Sequence, residues 1–338
     1  MQADPIRAPA RAQDLILRLR VKNYRAGDLE QRYAELGIEE DFFVVYGFVT
    51  RSLQALMHPR VDALHPFDGI GKVSAKESRS AALLLEFVRA RGTAHPREVD
   101  EYFAHGKVKN YWGGQSNATT HLLTQMHYRG MVRVVRRERG IRIYAVHPPR
   151  PAATDRAEIH ARIDALVDAA VAIYAPMPTA CLRDLVRRLR FAVPQWQREL
   201  KSAFKRAVGR LSHAEIDGVG WYWPAGESVS RSAPPESVRL LAPFDPLVWD
   251  RDRLELLWGW VYRFEAYTPS AKRKMGYYAL PLLWRDRVIG WGNLAVKGGK
   301  LHCDFGYVAG HPPREPAFRR ELDDEIDRMR AFLGLSTV

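Results

Sequence analysis

Between residues 75 and 147 the hydrophobic pattern leaves little freedom of fold. Residues 76–91 place Ala81, Leu84, Leu85 and Val88 at helical spacing and stop at Gly92. After His95-Pro96 a second short helix carries Val99, Tyr102 and Phe103, and Gly106–Gly114 reads as a turn. A third helix runs from about Ser116 to Tyr128, where Gly130 ends it. The period then drops to two over Met131–Arg136 and Ile141–Val146, joined through Arg137-Glu138-Arg139-Gly140. Helix, helix, helix, hairpin is the order of a winged helix, a helix-turn-helix variant. Its third helix enters a groove of nucleic acid while the wing lies along the backbone.

The side chains on these elements suit that use. The third helix carries Ser116, Asn117, Thr119, Thr120 and Gln125, all able to hydrogen-bond phosphates or base edges. The wing carries Arg133, Arg136, Arg137, Arg139 and Arg142 against the single Glu138. The whole chain has a net charge of +13, and arginine, whose planar fork matches phosphate and guanine edges, outweighs lysine. A winged helix can also serve as a protein-interaction module with its arginines simply solvated, so charge alone leaves both readings open.

The rest of the chain divides around this piece. Residues 1–71 form a partial first winged-helix or helical region: helix, turn and helix over 9–36, then short helical and turn signals over 39–66. Phe42, Phe43, Tyr46 and Phe48 in that stretch suggest a core plug, and polar Asp68–Ser74 marks a boundary. The winged helix itself occupies 72–150. After a Pro/Ala linker, 155–225 repeats three helices and a hairpin around Asp217-Gly218, a second winged-helix-like domain. Lys201, Lys205, Arg206 and Arg210 share one side of its third helix, either tracking phosphates or facing solvent. Gln195-Trp196-Gln197 reads as a surface feature. From 236 to 338 the period is two, with strand candidates Val238–Leu241, Tyr262–Tyr267, Tyr277–Trp284, Arg287–Leu294 and Lys300–Tyr307. A small antiparallel β-barrel or curled sheet is expected, with a helix over Pro313–Gly334 covering an open side or edge. The fold class is therefore α+β, with tandem winged-helix domains followed by that barrel and the C-terminal helix.

Composition narrows the chemistry. Cys181 and Cys303 are the only cysteines and the histidines are scattered, so no disulfide framework or structural metal is expected. No apolar run approaches the ~18 residues that a membrane helix needs. The expectation is a soluble cytoplasmic protein, nucleoid-associated if it binds DNA, and a monomer.

The opening residues, Gln2-Ala3-Asp4-Pro5, place an amide and a carboxylate two positions apart before a proline. Taken alone they are either a loose terminus with a capping aspartate or a projecting carboxylate. Other motifs decide between these. LAPFDPLVWDRDR (241–253), YRFEAYTP (262–269), KRKMGYYALP (272–281) and DRVIG (286–290), with Trp112-Gly113-Gly114 and Ser116-Asn117-Ala118-Thr119-Thr120, resemble the YcaQ/AlkZ family of crosslink-repair DNA glycosylases. The resemblance runs through most of the chain. It implies tandem winged helices with a β-barrel, and excision of alkylated bases, chiefly N7-alkylpurines and interstrand crosslinks, from duplex DNA without metal or organic cofactor.

That family's signature is Gln-x-Gln or Gln-x-Asp. The resemblance therefore makes Gln2 and Asp4 the catalytic pair and Arg11 a DNA-binding residue of the following helix. Lys272, Arg273 and Lys274 are further DNA contacts by the same resemblance. Two departures stand out. The family has a helical segment ahead of its motif, whereas here the motif begins at the second residue: either the start codon is assigned too late, or the support is lacking and Gln2 and Asp4 are expected to fray. Gly290-Trp291-Gly292-Asn293 replaces a frequent Gly-Arg-x-Asp turn, removing a charge pair. A non-catalytic winged-helix DNA-binding protein or regulator is the alternative function.

Overall fold

The computed structural model describes every residue except 61–62, 67–73, 104–105, 110–114, 229–231 and 337–338. The boundary expected at Asp68–Ser74, most of the turn at Gly106–Gly114 and the Trp112-Gly113-Gly114 motif therefore lie wholly or partly outside the described residues. The chain opens with α1 (Ala12–Leu17) and α2 (Asp28–Gln31), then a hairpin of β1 (Ile38–Phe42) and β2 (Tyr46–Thr50), then α3 (Arg51–Met57). Next come α4 (Ala75–Arg91), α5 (Pro96–Phe103), the short pair β3 (Lys107–Lys109) and β4 (Gln115–Asn117), and α6 (Ala118–Arg129). The hairpin of β5 (Val132–Glu138) and β6 (Ile141–Val146) follows, then α7 (Arg156–Tyr174), β7 (Met177–Pro178) and α8 (Thr179–Arg188). After these lie α9 (Gln197–Leu200), α10 (Ala203–Val208), β8 (Ser212–Ile216), β9 (Val219–Trp223), β10 (Val238–Leu240) and α11 (Arg251–Trp258). The last elements are β11 (Leu280–Trp284), β12 (Arg287–Lys297), β13 (Lys300–Tyr307) and α12 (Pro316–Leu333).

The chain folds as two compact units, one of residues 1–29, 173–181 and 212–338, the other of residues 30–172 and 182–211. The first contains an antiparallel sheet in the order β10-β11-β12-β13. This corrects the expected barrel: the sheet is open among the described residues. Tyr262–Tyr267, expected as a strand, is irregular, and α11 occupies part of the segment before it. Gly290-Trp291-Gly292-Asn293 lies within β12 rather than at a turn, paired residue for residue with Tyr307–Asp304.

The C-terminal helix covers the sheet because its apolar face is continuous. Phe318, Met329 and Phe332 pack on Leu240, Leu280, Leu282, Trp284 and Leu294. Glu325 on the same face is fully buried. It accepts from Leu240 N–H at 2.9 Å and from Arg18 at 2.5 Å, so a buried charge is matched by a cation and a backbone donor. A separate sheet in this unit runs β7-β9-β8.

The second unit keeps the expected order of α4, α5, α6 and the β5–β6 hairpin. Ser74 and Glu77 form a capping box that starts α4, and Gly92 ends it. The β1–β2 hairpin is a correction to the helix-and-turn reading of 39–66. Phe42, Phe43 and Phe48 are buried there, as a core plug requires. So is Trp196, while Gln195 Nε2 donates to Met57 O at 2.9 Å, so of Gln195-Trp196-Gln197, expected at the surface, only Gln197 is exposed. Arg206 and Arg210 are committed to Asp164 and Asp168, which takes half of the basic row on the third helix of 155–225 out of reach of a phosphate.

At the centre of this unit sits a buried polar cluster. Asp41 accepts from Arg60 Nη1 at 2.7 Å and lies 2.6 Å from His58 Nε2. Burial opposes its charge, but Arg60 and His58 hold it well below the usual carboxylate range. Gly130, with φ +80°, is required twice here, for its left-handed conformation and because a Cβ would lie 2.5 Å from His58 Nδ1. His58, His65, His127 and His147 are all buried. Burial lowers the pKa of every one of them below the usual histidine value of about 6.5, His127 to about 4 and His65 to about 3. These histidines fold neutral, so between pH 6.5 and about 4 the unfolded chain binds more protons and stability is lost as the pH is lowered. Thermal melts should show the second unit losing stability across that window, and a flat response down to pH 4.5 would contradict the neutral-histidine core.

Candidate active site

The opening motif is not frayed. Asp4 is only 8% exposed, and its Oδ1 accepts from Ile6 N–H at 2.8 Å, closing a tight turn over Pro5. Its own N–H donates weakly, at 3.4 Å, to Gln13 Oε1 on α1. Asp4 therefore does act as a local cap, but of its own turn: the N-cap of α1 is Arg11, whose side chain makes no capping bond. Met1, Ile6 and Ala8 pack against the core that holds Leu15, Ile16, Tyr278, Leu280 and Phe332.

The helix behind the motif is fixed from both ends. Asp14 accepts from Tyr24 O–H at 2.6 Å and Gly27 N–H at 3.2 Å. Arg18 donates to Glu325 and to Leu240 O at 2.8 Å, tying α1 to the sheet and to α12. These partners stand some two to three hundred positions away in the chain, which no local pattern reveals.

The electrostatics of the motif are those of a withheld charge. Burial raises Asp4 above the usual carboxylate range, and the Ile6 N–H works against that shift. Gln2 Oε1 is buried with no hydrogen-bond partner among the described residues. Tyr267 and Tyr278 lie close enough to feel the charge of Asp4. Beside them opens a groove of about 660 Å³, walled by Arg7, Ala8, Pro9, Tyr277, Tyr278 and Asn293, among others.

The loop bearing the basic motif lies along the same unit. Buried Glu265 accepts from the backbone N–H groups of Lys274 and Met275, at 2.8 and 2.7 Å, and so fixes its course. Gly276, at φ +113°, lets it pass Asn293, whose amide would meet a Cβ at 2.3 Å. Lys272 and Lys274 are exposed, as are Tyr267 and Tyr277. Arg273 donates to Thr268 O at 2.8 Å and covers the Tyr277 ring at 5.0 Å, so it shapes the loop as well as charging it.

The expected winged-helix contacts are only partly in position. Ser116 lies on β4. Asn117 Nδ2 and Thr119 Oγ1 both donate to Asp100, at 2.7 and 2.6 Å, Thr119 is buried, and Gln125 is buried against His65 N–H. Asn117, Thr119 and Gln125 thus fasten α6 to its neighbours, whereas Thr120 is exposed. On the hairpin, Arg133 donates to Glu39 at 3.0 Å, and Arg137 donates to fully buried Glu40 at 2.6 and 2.7 Å. Counting charges within the wing missed these partners, which stand on β1. Arg136 pairs with Glu138 at the surface. Arg139, at the turn with φ +50°, is exposed.

No group of three His, Cys, Asp or Glu among the described residues is placed to hold a metal ion. No helix among them is long and apolar enough to cross a membrane. The family model for DNA glycosylase AlkZ-like proteins matches residues 1–332. The chain therefore belongs to the AlkZ-like DNA glycosylase family, as the motifs implied, and that membership makes DNA its partner and DNA repair its setting. No solved structure matches it.

Proposed function

We propose that this protein is a monofunctional glycosylase that hydrolyses the N-glycosidic bond of N7-alkylated purines in duplex DNA. The observation that carries the reading is a buried Asp4, its pKa raised by that burial, two residues from the unsatisfied Oε1 of Gln2 on a braced turn. A purine alkylated at N7 is already cationic. As the C1′–N9 bond breaks, its electron pair neutralises the ring, and positive charge moves to the sugar, as in other glycosyl transfers. Asp4 stabilises that charge and takes a proton from the attacking water, and Gln2 holds the water by its amide. Neither residue is an amine nucleophile, so no Schiff-base step is included.

Duplex DNA carrying N7-methylguanine tests this. Incubation should leave abasic sites that become strand breaks on heating, while unmodified duplex stays intact. Binding without such sites would favour a DNA-binding regulator instead. Interstrand crosslinks at the same atom are a further substrate of this reading, tested by gel separation of the unhooked strands.

DNA contact is assigned to the exposed cations, Arg139 on the hairpin and Lys272 and Lys274 on the basic loop, with Arg11, Ser116, Thr120, Arg136 and Arg273 as lesser contacts. Arg139→Ala should reduce the slope of log affinity against log salt by about 0.9, the value for one phosphate contact. Arg137→Ala should instead lower the melting temperature, because buried Glu40 loses two of its hydrogen bonds and one of its two cations. Fluorescence anisotropy over a salt series separates them, and an unchanged slope in Arg139→Ala would remove the hairpin from the interface.

A further inference from the structure

We infer that Tyr278 is the third polar member of the site, its hydroxyl fixing the attacking water between Asp4 and Gln2. The inference rests on the assignment of those two residues to the chemistry. Tyr278 stands where the basic loop runs into β11 and is 2% exposed. Its ring packs edge-on against Phe264 at 5.3 Å, in the core cluster that also takes Met1, Ile6 and Ala8. Its hydroxyl is buried and has no hydrogen-bond partner among the described residues.

A buried phenol normally finds a partner, because leaving one unsatisfied is costly. Nearby Tyr262 obeys this, donating to Ala279 O at 2.6 Å. Tyr278 does not, although it lines the groove with Arg7, Ala8 and Pro9, the residues that follow the motif. Gln2 Oε1, in this unit's N-terminal segment, is likewise buried without a hydrogen-bond partner among the described residues, and Asp4 uses Oδ1 for its turn.

An ordered water needs between two and four polar partners, and these atoms supply a complete set. Asp4 Oδ2 and Gln2 Oε1 accept its two protons, and the Tyr278 hydroxyl donates to one lone pair. The remaining lone pair is left to form the bond to C1′ as the bond to N9 breaks. Burial first and the charge of Asp4 second push the phenol up, so it remains a donor at neutral pH. The sugar is already cationic when water arrives, so the placement of the water matters more than its basicity.

Tyr278→Phe in the full chain tests this, with Asp4→Asn measured beside it. Single-turnover release of N7-methylguanine should fall roughly 10–100-fold, the range for one positioned hydrogen-bonding group. DNA affinity should hold, and the melting temperature should hold or rise, because an unsatisfied hydroxyl leaves the interior. In water–methanol mixtures the variant should also shift the ratio of methyl deoxyriboside to hydrolysis product, which a merely structural tyrosine would not do. Release within twofold of the native rate, or a loss matched by falling stability, would overturn the role of Tyr278 while Asp4→Asn remains impaired. Equal activity in Asp4→Asn would instead overturn the underlying reading.

Discussion

Asp4→Asn should release N7-methylguanine roughly 10²–10³-fold more slowly than the native protein, the loss that follows removal of one preorganised polar group. The substitution isolates charge from shape. Asparagine retains an oxygen for the Ile6 N–H bond, so the turn over Pro5 persists. Burial already disfavours the carboxylate in the folded protein, so neutralising it should leave the melting temperature unchanged or slightly higher. A rate loss with intact stability and DNA affinity is therefore the expected signature. The native pH–rate profile should agree. Asp4 acts ionised, and its ionisation is displaced upward, so the rate falls with acid at a pH above the usual aspartate range. Quench-flow or manual single-turnover assays across pH 4–8 would show the limb, and Asp4→Asn should lack it. An unimpaired Asp4→Asn would place the chemistry elsewhere.

Arg60→Met should destabilise the protein by about 3–5 kcal/mol, the range for stripping one partner from a buried ion pair. Arg60 is fully buried. It donates to Asp41, Phe42 O, Tyr128 O and Ala192 O, all between 2.6 and 2.8 Å, and lies 4.5 Å over the Tyr128 ring. One guanidinium thus joins β1, the end of α6 and the segment after α8 within the second unit. Methionine fills a similar volume but leaves Asp41 without its guanidinium, held by the His58 ring and the Phe42 N–H. Neutralising the survivor, in Asp41→Asn/Arg60→Met, should recover part of the loss. Urea unfolding followed by circular dichroism measures both, and a change under 1 kcal/mol for the single variant would show that Arg60 is not what satisfies Asp41.

The elements legible in the sequence were those whose signal is local. The apolar face of α4, the glycine after it, the stop at Gly130 and the alternation of β5 and β6 each state their structure within a few residues. Tyr262–Tyr267 misled because aromatic alternation there serves packing: Phe264 meets Phe244 and Tyr278, and Tyr262 bonds Ala279 O. The β1–β2 hairpin escaped notice because Glu39, Glu40 and Asp41 occupy its core-facing length, an unpromising run for a buried strand. They are tolerated because Arg133, Arg137 and Arg60 reach them from β5 and from beyond α3. The same pairs explain why wing arginines that read as DNA ligands are largely structural.

Of the candidate site, Gln2 and Asp4 were readable only through family motifs far downstream. What holds them could not be read at all. Glu325 looks like one more charge on an amphipathic helix until Arg18 and the Leu240 N–H meet it. Tyr278 belongs to the KRKMGYYALP motif, but only its unpartnered hydroxyl gives it a role.

Release of free base tests the central claim most directly. The native protein is mixed in excess with a duplex containing one N7-methylguanine, in chelator, and the supernatant is resolved by chromatography with mass detection. The account predicts one equivalent of free 7-methylguanine and an unbroken strand carrying an abasic site. Tight binding of the duplex with the modified base still attached would contradict it.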